Sequence, residues 1–298
     1  MDFRNFIKNN PVVLFDGAMG TELAKRGLEM SGTNNLTHPD QVLEIQREYR
    51  RAGADVIITN TLTMNRIYLE SHGVKIDLRE VNLAGVRLAR QAARMDGQDA
   101  KGAFVFGDIS STGQMLEPYG DYTEEQFYQN FKEQAAILAA GGVDGLIIET
   151  MIDLREAVCA LKGCRDVADL PVIVSLSFSG ITNGGRTVMG NSVAEVAKAM
   201  EENGADAVGA NCGELDPQEM AQLTKMFKEA ASLPVIIQPN AGKPKLIDNL
   251  TQFDMKPEEF AAGLIKCIEN GASLVGGCCG TSPDHIRAIG RMIKQMGG

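Results

Sequence analysis

Two neighbouring cysteines near the end of the sequence are the residues whose chemistry is easiest to predict. They lie in Gly276-Gly277-Cys278-Cys279-Gly280. Successive side chains of a strand point to opposite faces, but glycines adopt backbone angles that other residues avoid and allow both sulfurs to turn toward one point. A third thiol follows another apolar run, in Ala210-Asn211-Cys212-Gly213. Because three thiolates suit a soft cation, we predict a zinc site formed by Cys212, Cys278 and Cys279.

The composition of this predicted site indicates which reaction it would support. Catalytic zinc sites have three protein ligands and an open fourth position. Zinc that already holds three thiolates is a poor Lewis acid, but it keeps a fourth thiol deprotonated against a free-thiol pKa of roughly 8.5. The sequence therefore favours alkyl transfer onto a thiol over hydrolysis. We consider Asn240 as a fourth ligand when substrate is absent, although amide oxygen binds zinc weakly. The alternative is a structural site, which usually has four ligands in paired C-x₂₋₄-C spacing.

A recurring sequence pattern shows which elements must position these cysteines. A helix ends near glycine, a small residue follows, and an apolar run comes next. Glycine after a helix end satisfies the left-handed cap, and a short apolar run fits a strand buried on both faces. The pattern occurs four times, at residues 52–60, 141–149, 203–212 and 270–279.

Four further apolar runs bring the number of predicted strands to eight. They lie at residues 11–16, 103–108, 170–177 and 233–240. Amphipathic stretches alternate with the runs, at residues 39–51, 78–94, 124–140, 192–203, 217–230 and 256–270, and a last helix opens at Thr281-Ser282-Pro283-Asp284 and continues to about residue 295. Eight strands alternating with helices favour a (β/α)8 TIM barrel over a doubly wound open sheet. We predict one domain, residues 1–298.

The barrel prediction places polar residues at one rim, because barrel enzymes use the C-terminal ends of their strands. The strands end at Asp16, Asn60, Asp108, Glu149, Ser177, Cys212, Asn240 and the Cys278–Cys279 pair. We expect Asp16 and Glu149 to contact a substrate ammonium group. The alternatives are a helix cap for Asp16 and an arginine partner for Glu149. Long loops at residues 109–121 and 180–190 are either lids or solvated excursions.

Composition excludes several classes of function. The net charge of −10 disfavours nucleic acid as a partner, since phosphate binding requires clustered Lys and Arg. The N-terminal residues lack the apolar core of a secretory signal, and no segment reaches the roughly 20 apolar residues of a membrane span. We therefore expect a cytoplasmic protein with reduced thiols. Cys159, Cys164 and Cys267 lie in helical patterns and are predicted to be core residues.

The motifs together resemble the homocysteine S-methyltransferase family, and within it the homocysteine-binding barrel of cobalamin-dependent methionine synthases. The resemblance runs nearly end to end, through Asp16-Gly-Ala-Met-Gly-Thr21, residues 53–61, Gly145-Leu-Ile-Ile-Glu-Thr150, Gly185-Arg-Thr187, Asn211-Cys212, residues 239–244 and Gly276-Gly-Cys-Cys-Gly-Thr281. It implies zinc on the three cysteines, the amino group of homocysteine near Asp16 and Glu149, and its carboxylate at the backbone of Ala18 and Met19. The implied product is methionine, with no catalytic residue beyond the zinc site.

The methyl donor is the part of the reaction that the sequence specifies least. No Asp-x-His-x-x-Gly corrinoid motif and no G-x-G-x-x-G nucleotide loop is present. We therefore expect a free-standing or excised barrel that receives its methyl group from a methylcorrinoid, such as methylcobalamin, carried by a separate protein or domain. The alternatives are S-methylmethionine or S-adenosylmethionine as donor, or a non-catalytic zinc-binding partner of a corrinoid protein. A barrel aldolase or isomerase is disfavoured because no lysine or histidine ends a predicted strand.

Overall fold

The computed structural model describes residues 2–94, 102–247 and 250–296. In these ranges the strands are β1 (Val13–Leu14), β2 (Val56–Ile58), β3 (Phe104–Ser110), β4 (Gly145–Met151), β5 (Val172–Leu176), β6 (Phe178–Gly180), β7 (Arg186–Thr187), β8 (Ala207–Asn211), β9 (Val235–Gln238), β10 (Lys245–Ile247), β11 (Leu250–Gln252) and β12 (Ala272–Val275). The helices are α1 (Phe3–Asn9), α2 (Gly20–Lys25), α3 (Asn34–Thr37), α4 (Pro39–Ala52), α5 (Arg66–Ser71), α6 (Leu78–Ala93), α7 (Glu124–Ala140), α8 (Leu154–Arg165), α9 (Val193–Glu202), α10 (Pro217–Ala230), α11 (Pro257–Glu269) and α12 (Pro283–Met296).

Eight parallel strands form one closed sheet in the order β1-β12-β9-β8-β5-β4-β3-β2. A parallel bridge between Phe15 and Val56 joins its two ends, and the amide of Asp16 donates to the carbonyl of Val56 at 3.1 Å. The predicted (β/α)8 barrel is therefore confirmed over the open doubly wound sheet. The other four strands form two antiparallel hairpins, β6–β7 and β10–β11, outside the barrel.

The aspartates of the recurring sequence pattern have a structural role at the N-terminal end of the barrel. Each accepts the backbone N–H of a residue in a neighbouring strand: Asp55 from Leu14 at 3.0 Å, Asp144 from Val105 at 2.7 Å, and Asp206 from Val172 at 2.8 Å. A strand beginning inside a packed barrel has no water to satisfy that donor. The carboxylates therefore fix the register between adjacent strands.

The N-terminal end of the barrel is closed, so the opposite end is the accessible one. Phe3 of α1 lies against Phe106 with ring centroids 4.6 Å apart and against Phe15 at 6.3 Å. These rings are buried with apolar residues from the barrel strands in one cluster. The larger cluster lies between the strands and the surrounding helices, and it includes Cys159, Cys164 and Cys267. The prediction that these three cysteines are core residues is confirmed.

The predicted helices agree with the observed ones to within about two residues at each end. Where the bounds agree at both ends, in α7 and α10, a capping box fixes the start: Thr123 with Gln126, and Asp216 with Glu219. Each pair satisfies two backbone donors of the first turn. Within the described ranges, none of the helices combines the length and apolar character that a membrane crossing requires.

Candidate active site

The three predicted zinc ligands converge at the C-terminal mouth of the barrel. Cys212 directly follows β8, and the Cys278–Cys279 pair follows β12. Their sulfurs all lie within 4.8 Å of one another, and the sulfurs of Cys212 and Cys279 are 3.9 Å apart. Cys212 itself has a left-handed backbone with φ of 55°, a conformation that ordinary residues rarely adopt. This bend turns its sulfur out of the strand direction toward the other two.

Asn211 holds the cysteine cluster to the neighbouring strand. Its fully buried side chain accepts hydrogen bonds from the amide of Thr150 and the hydroxyl of Ser175, both at 2.8 Å. Its amide nitrogen donates to Thr150 Oγ1 at 2.7 Å and lies 3.8 Å from the sulfur of Cys278. Thr150 also has a positive φ, of 60°. One asparagine therefore ties the irregular end of β4, at Thr150, to the metal-ligand candidates.

The thiols share their protons unequally. Hydrogen bonds from Cys278 and Cys279 lower the pKa of Cys212 to about 3. Its thiolate in turn raises the pKa of Cys279 to about 12 and raises that of Cys278 well above the ordinary thiol value. Two thiols thus donate to one thiolate. One thiolate with two further sulfurs beside it is a donor set suited to a soft cation.

A cavity of about 250 Å³ opens beside the sulfurs and is acidic. Asp16, Asp108 and Glu149 contribute to its lining. Burial raises the pKa of Glu149 to about 7, with the charge of Cys212 as a second cause. Burial also raises the pKa of Asp16 and of Asp108 well above the ordinary aspartate value. Three carboxyl groups held away from water favour a cationic ligand, because an ammonium group would stabilise their charged forms.

Hydrogen bonding shows which carboxylate oxygens are available to a ligand. Asp16 accepts the amide of Ile58 at 2.9 Å through Oδ2, whereas its Oδ1 is buried and has no partner among the described residues. Asp108 Oδ1 is also buried without a partner there. Helix α2 is capped by Met19, so Asp16 is not a helix cap. No arginine influences the pKa of Glu149. The two alternative roles considered for Asp16 and Glu149 are therefore not observed.

The predicted carboxylate-binding backbone is only partly free. Ala18 and Met19 line the cavity, but the amide of Ala18 donates to Thr281 Oγ1 at 3.0 Å. The side chain of Asn240 lies beside Cys212 and helps to lower the pKa of that thiol. Its Nδ2 donates to the carbonyl of Gly213 at 2.9 Å, and its buried Oδ1 has no partner in the described part of the chain.

Sequence reasoning placed Asp108 at the rim but gave it no role. It took Thr281 only as the opening of the last helix, and it missed Tyr49 altogether. Tyr49 lies in helix α4 and reads as a core position by its helical spacing. Its hydroxyl nevertheless reaches the carbonyls of Ala18 and Thr281, at 2.8 and 3.2 Å. The signal available in the sequence was a phenol among apolar helix positions, since a buried tyrosine hydroxyl requires a hydrogen-bond partner.

The loops around the mouth expose an unusual number of apolar side chains. Among the described residues, eight large apolar side chains are exposed, and all except Met296 belong to mouth loops or the β10–β11 hairpin. We call these seven the apolar rim: Met30, Met115, Tyr119, Ile152, Val188, Met189 and Leu246. Tyr119, Leu246 and Val188 are 76%, 75% and 70% exposed. Residues 109–121 and 180–190, the two segments predicted from the sequence to be lids or solvated excursions, supply four of the seven.

Comparison with known proteins places this site in context. A family model described as homocysteine S-methyltransferase matches residues 13–293. The methionine synthase of Mycobacterium leprae is 34% identical over 303 residues, covering 95% of this chain and 24% of that protein. The methionine synthase of Mycobacterium tuberculosis is 33% identical, covering 96% of this chain and 25% of that protein. The chain thus spans about a quarter of the length of these relatives.

Solved structures agree with the fold. The metallated form of the homocysteine methyltransferase MmuM from Escherichia coli superposes with a TM-score of 0.79 at 23% identity, covering 97% of this chain and 99% of that one. At that identity the likeness supports the barrel architecture. The family model, which covers nearly the whole sequence, carries the assignment. This chain belongs to the homocysteine S-methyltransferase family.

Proposed function

We propose that this chain, as one homocysteine-binding barrel domain over residues 1–298, transfers a methyl group to the sulfur of homocysteine and forms methionine. We further propose zinc at Cys212, Cys278 and Cys279, and a methylcorrinoid carried by a protein as the donor. The observation that carries the proposal is the convergence of three thiols beside an acidic cavity of about 250 Å³. A cavity of that size suits a small amino acid.

The donor set fits zinc. Four sulfurs placed tetrahedrally about zinc at about 2.3 Å lie about 3.8 Å from one another, and the sulfurs of Cys212 and Cys279 are 3.9 Å apart. A divalent cation would neutralise the Cys212 thiolate and would favour loss of the protons from the other two thiols. We propose that Asn240, whose Oδ1 has no partner among the described residues, provides the fourth ligand when homocysteine is absent.

The two ends of homocysteine would be recognised by different groups. Asp16 and Glu149 would bind the ammonium group, which would give the unpaired Asp16 Oδ1 a partner. The carboxylate would lie at the Ala18–Met19 backbone. Because Thr281 already accepts the amide of Ala18, the amide of Met19 would make the main contact, helped by the positive end of helix α2.

These contacts leave the sulfur of homocysteine pointing toward the cysteines. Zinc bound there would hold that sulfur as a thiolate and keep it nucleophilic at neutral pH. The thiolate attacks the methyl carbon in line, so that a sulfur–carbon bond forms while the donor keeps the electron pair of the broken bond. The chain's own residues orient the amino acid, and the thiol proton leaves to solvent. No general base is required.

The apolar rim favours a large donor over a small one. A small sulfonium compound would need only the cavity, whereas the rim extends over the loops that follow five barrel strands, β1, β3, β4, β5 and β9. Apolar side chains exposed at one end of the barrel offer contacts to a protein partner, and flexible methionines such as Met30, Met115 and Met189 adapt to a partner surface. A corrinoid protein would cover this rim while bringing its methyl group to the mouth.

The assay that tests the proposal measures methionine formed from homocysteine by the zinc-loaded chain. Methylcobalamin, S-methylmethionine and S-adenosylmethionine are supplied in turn, and Cys212→Ser is the control. We expect methionine with methylcobalamin and none with the control. Methionine from a sulfonium compound alone would replace the proposed donor. Absence of methionine with every donor, from protein that contains zinc, would overturn the proposed activity.

A further inference from the structure

Tyr49 is buried, and its hydroxyl contacts two of the mouth loops at once. We propose that its hydroxyl is a positioning group that orients the Ala18–Met19 peptide toward the substrate carboxylate and ties it, through Thr281, to the cysteine loop. This inference rests on the proposed function, since it assigns a role in binding homocysteine. It concerns a residue of helix α4 that belongs neither to the cysteine cluster nor to the acidic group.

The hydroxyl is placed between two backbone carbonyls. Tyr49 is fully buried. Its oxygen lies 2.8 Å from the carbonyl of Ala18 and 3.2 Å from the carbonyl of Thr281. A phenol has one hydrogen to donate, so the two acceptors share it. These contacts join a loop at residue 18 with a loop at residue 281, the first and last mouth loops of the barrel.

The contact with Ala18 determines where the next amide points. In a planar trans peptide the C=O of one residue and the N–H of the next point in opposite directions. Tyr49 holds the carbonyl of Ala18 toward helix α4, so the N–H of Met19 faces away from the helix. Met19 lines the cavity. The hydroxyl of Tyr49 therefore presents the amide that the proposed carboxylate contact requires.

Thr281 extends this link to the zinc ligands. Its Oγ1 accepts the amide of Ala18 at 3.0 Å and donates to the carbonyl of Cys278 at 2.7 Å. The two glycines beside this link have no room for a side chain. A Cβ on Gly17 would lie 2.7 Å from Thr281 Oγ1 and 2.8 Å from the ring of Tyr49. A Cβ on Gly277 would lie 2.5 Å from Thr281 Oγ1. The carboxylate-binding peptide and the cysteine loop are thus held as one unit.

Core packing alone does not explain the hydroxyl. Phenylalanine at this position of α4 would fill the same space, and it would spare the cost of burying a polar atom. Burial raises the pKa of Tyr49 well above its usual value, so the group stays a neutral donor. What phenylalanine would lack is the control over the Ala18 carbonyl.

The test compares Tyr49→Phe with Tyr128→Phe. Tyr128 lies on helix α7, and its hydroxyl donates to Asp166 at the C-terminal end of helix α8. Homocysteine Kd, KM and kcat are measured on zinc-loaded protein, together with zinc content and thermal stability. We expect Tyr49→Phe to raise Kd and KM for homocysteine about tenfold, corresponding to about 1.4 kcal/mol, with a smaller change in kcat and one zinc per chain. Tyr128→Phe should match the wild type.

A substrate without a carboxylate separates positioning from general weakening. 3-Aminopropane-1-thiol keeps the thiol and the ammonium group of homocysteine but has no carboxylate. We expect Tyr49→Phe to bind it as the wild type does, so that the tenfold loss is confined to homocysteine. An equal loss for both thiols, or no loss for homocysteine in a folded variant, would overturn the inference. If the wild type itself neither binds nor methylates homocysteine, the proposed function fails instead.

Thr281 provides a second variant pair for the same link. Thr281→Val removes the oxygen that joins Ala18 to Cys278, while Thr281→Ser keeps it. We expect the valine variant to lose both homocysteine affinity and zinc affinity, and the serine variant to restore most of each. Zinc and homocysteine affinity that the valine variant keeps and the serine variant loses would show that the methyl packing of Thr281, rather than its hydrogen bonds, supports the cysteine loop.

Discussion

Replacing Glu149 with glutamine should weaken homocysteine binding in a way that depends on pH. Burial raises the pKa of this carboxyl from 4.5 to about 7, which corresponds to a penalty of roughly 3 kcal/mol on its charged form. A substrate ammonium group would recover part of that cost, since a hydrogen bond to a charged group contributes about 1.5–3 kcal/mol. We therefore expect Glu149→Gln to raise the homocysteine Kd roughly 10- to 150-fold above pH 7.

The sign of the pH dependence follows from the raised pKa. As pH falls through about 7, Glu149 gains a proton and loses the charge that attracts the ammonium group, so wild-type affinity should fall. Below that pH both proteins carry a neutral side chain at residue 149, and the ratio of their Kd values should approach one. The ratio of the two Kd values is the quantity to follow. The homocysteine thiol releases a proton in both proteins, so the pH dependence that this release adds to each Kd cancels in the ratio.

Titration calorimetry of both proteins at several pH values between about 5.5 and 8.5 would measure this ratio. Glu156→Gln is a matched control, since Glu156 is also a buried acid with a raised pKa, but its carboxylate accepts bonds from Ser111 and Thr112. Its ratio to the wild type should not change with pH. A ratio for Glu149→Gln that stays near one, or stays large at low pH, would refute the assigned ammonium contact.

The remaining predictions concern the metal, the stability and the rim. Cys212→Ser should lose stoichiometric zinc by elemental analysis, whereas Cys159→Ser, in the core, should keep it; equal zinc in both would remove Cys212 from the ligand set. Burial raises the pKa of Asp16 and Asp108, so the native state keeps protons that the unfolded state releases above about pH 4, and the metal-free protein should become less stable to urea as pH rises from about 4 toward 7. Greater stability at the higher pH would contradict this assignment. Tyr119→Ser in the apolar rim should slow methylation by a protein-borne methylcorrinoid at least several-fold while leaving the rate with free methylcobalamin unchanged; equal rates with both donors would argue against docking there.

The barrel was predictable because the same local sequence pattern recurs at its strands. Each run of apolar residues begins after a glycine or a proline, and its length suits a strand buried on both faces. The register between strands was not predictable in the same way. It depends on contacts such as those of Asp144 with Val105 and Asp206 with Val172, which join residues more than thirty positions apart. The repeated aspartate was visible in the sequence, but its partner was not.

The sulfur cluster was predicted because cysteines have few other uses when they end barrel strands at the same rim, and their sulfurs do converge within 4.8 Å. Their role as zinc ligands stays a prediction. The support around them depends on backbone atoms, which a sequence does not reveal. Tyr49 donates to the carbonyl of Ala18, and Thr281 accepts the amide of Ala18. Asn211 accepts the amide of Thr150 in β4. The availability of Asp108 Oδ1 likewise depends on packing around β3.

X-ray absorption at the zinc edge, with and without homocysteine, tests the central claim most directly. The three cysteines should supply three sulfurs at about 2.3 Å together with one lighter ligand, and homocysteine should replace the lighter ligand with a fourth sulfur. Methionine, whose sulfur is already methylated, should leave the spectrum closer to that of the resting protein. A site that holds four protein ligands and does not change when homocysteine is added would contradict the account.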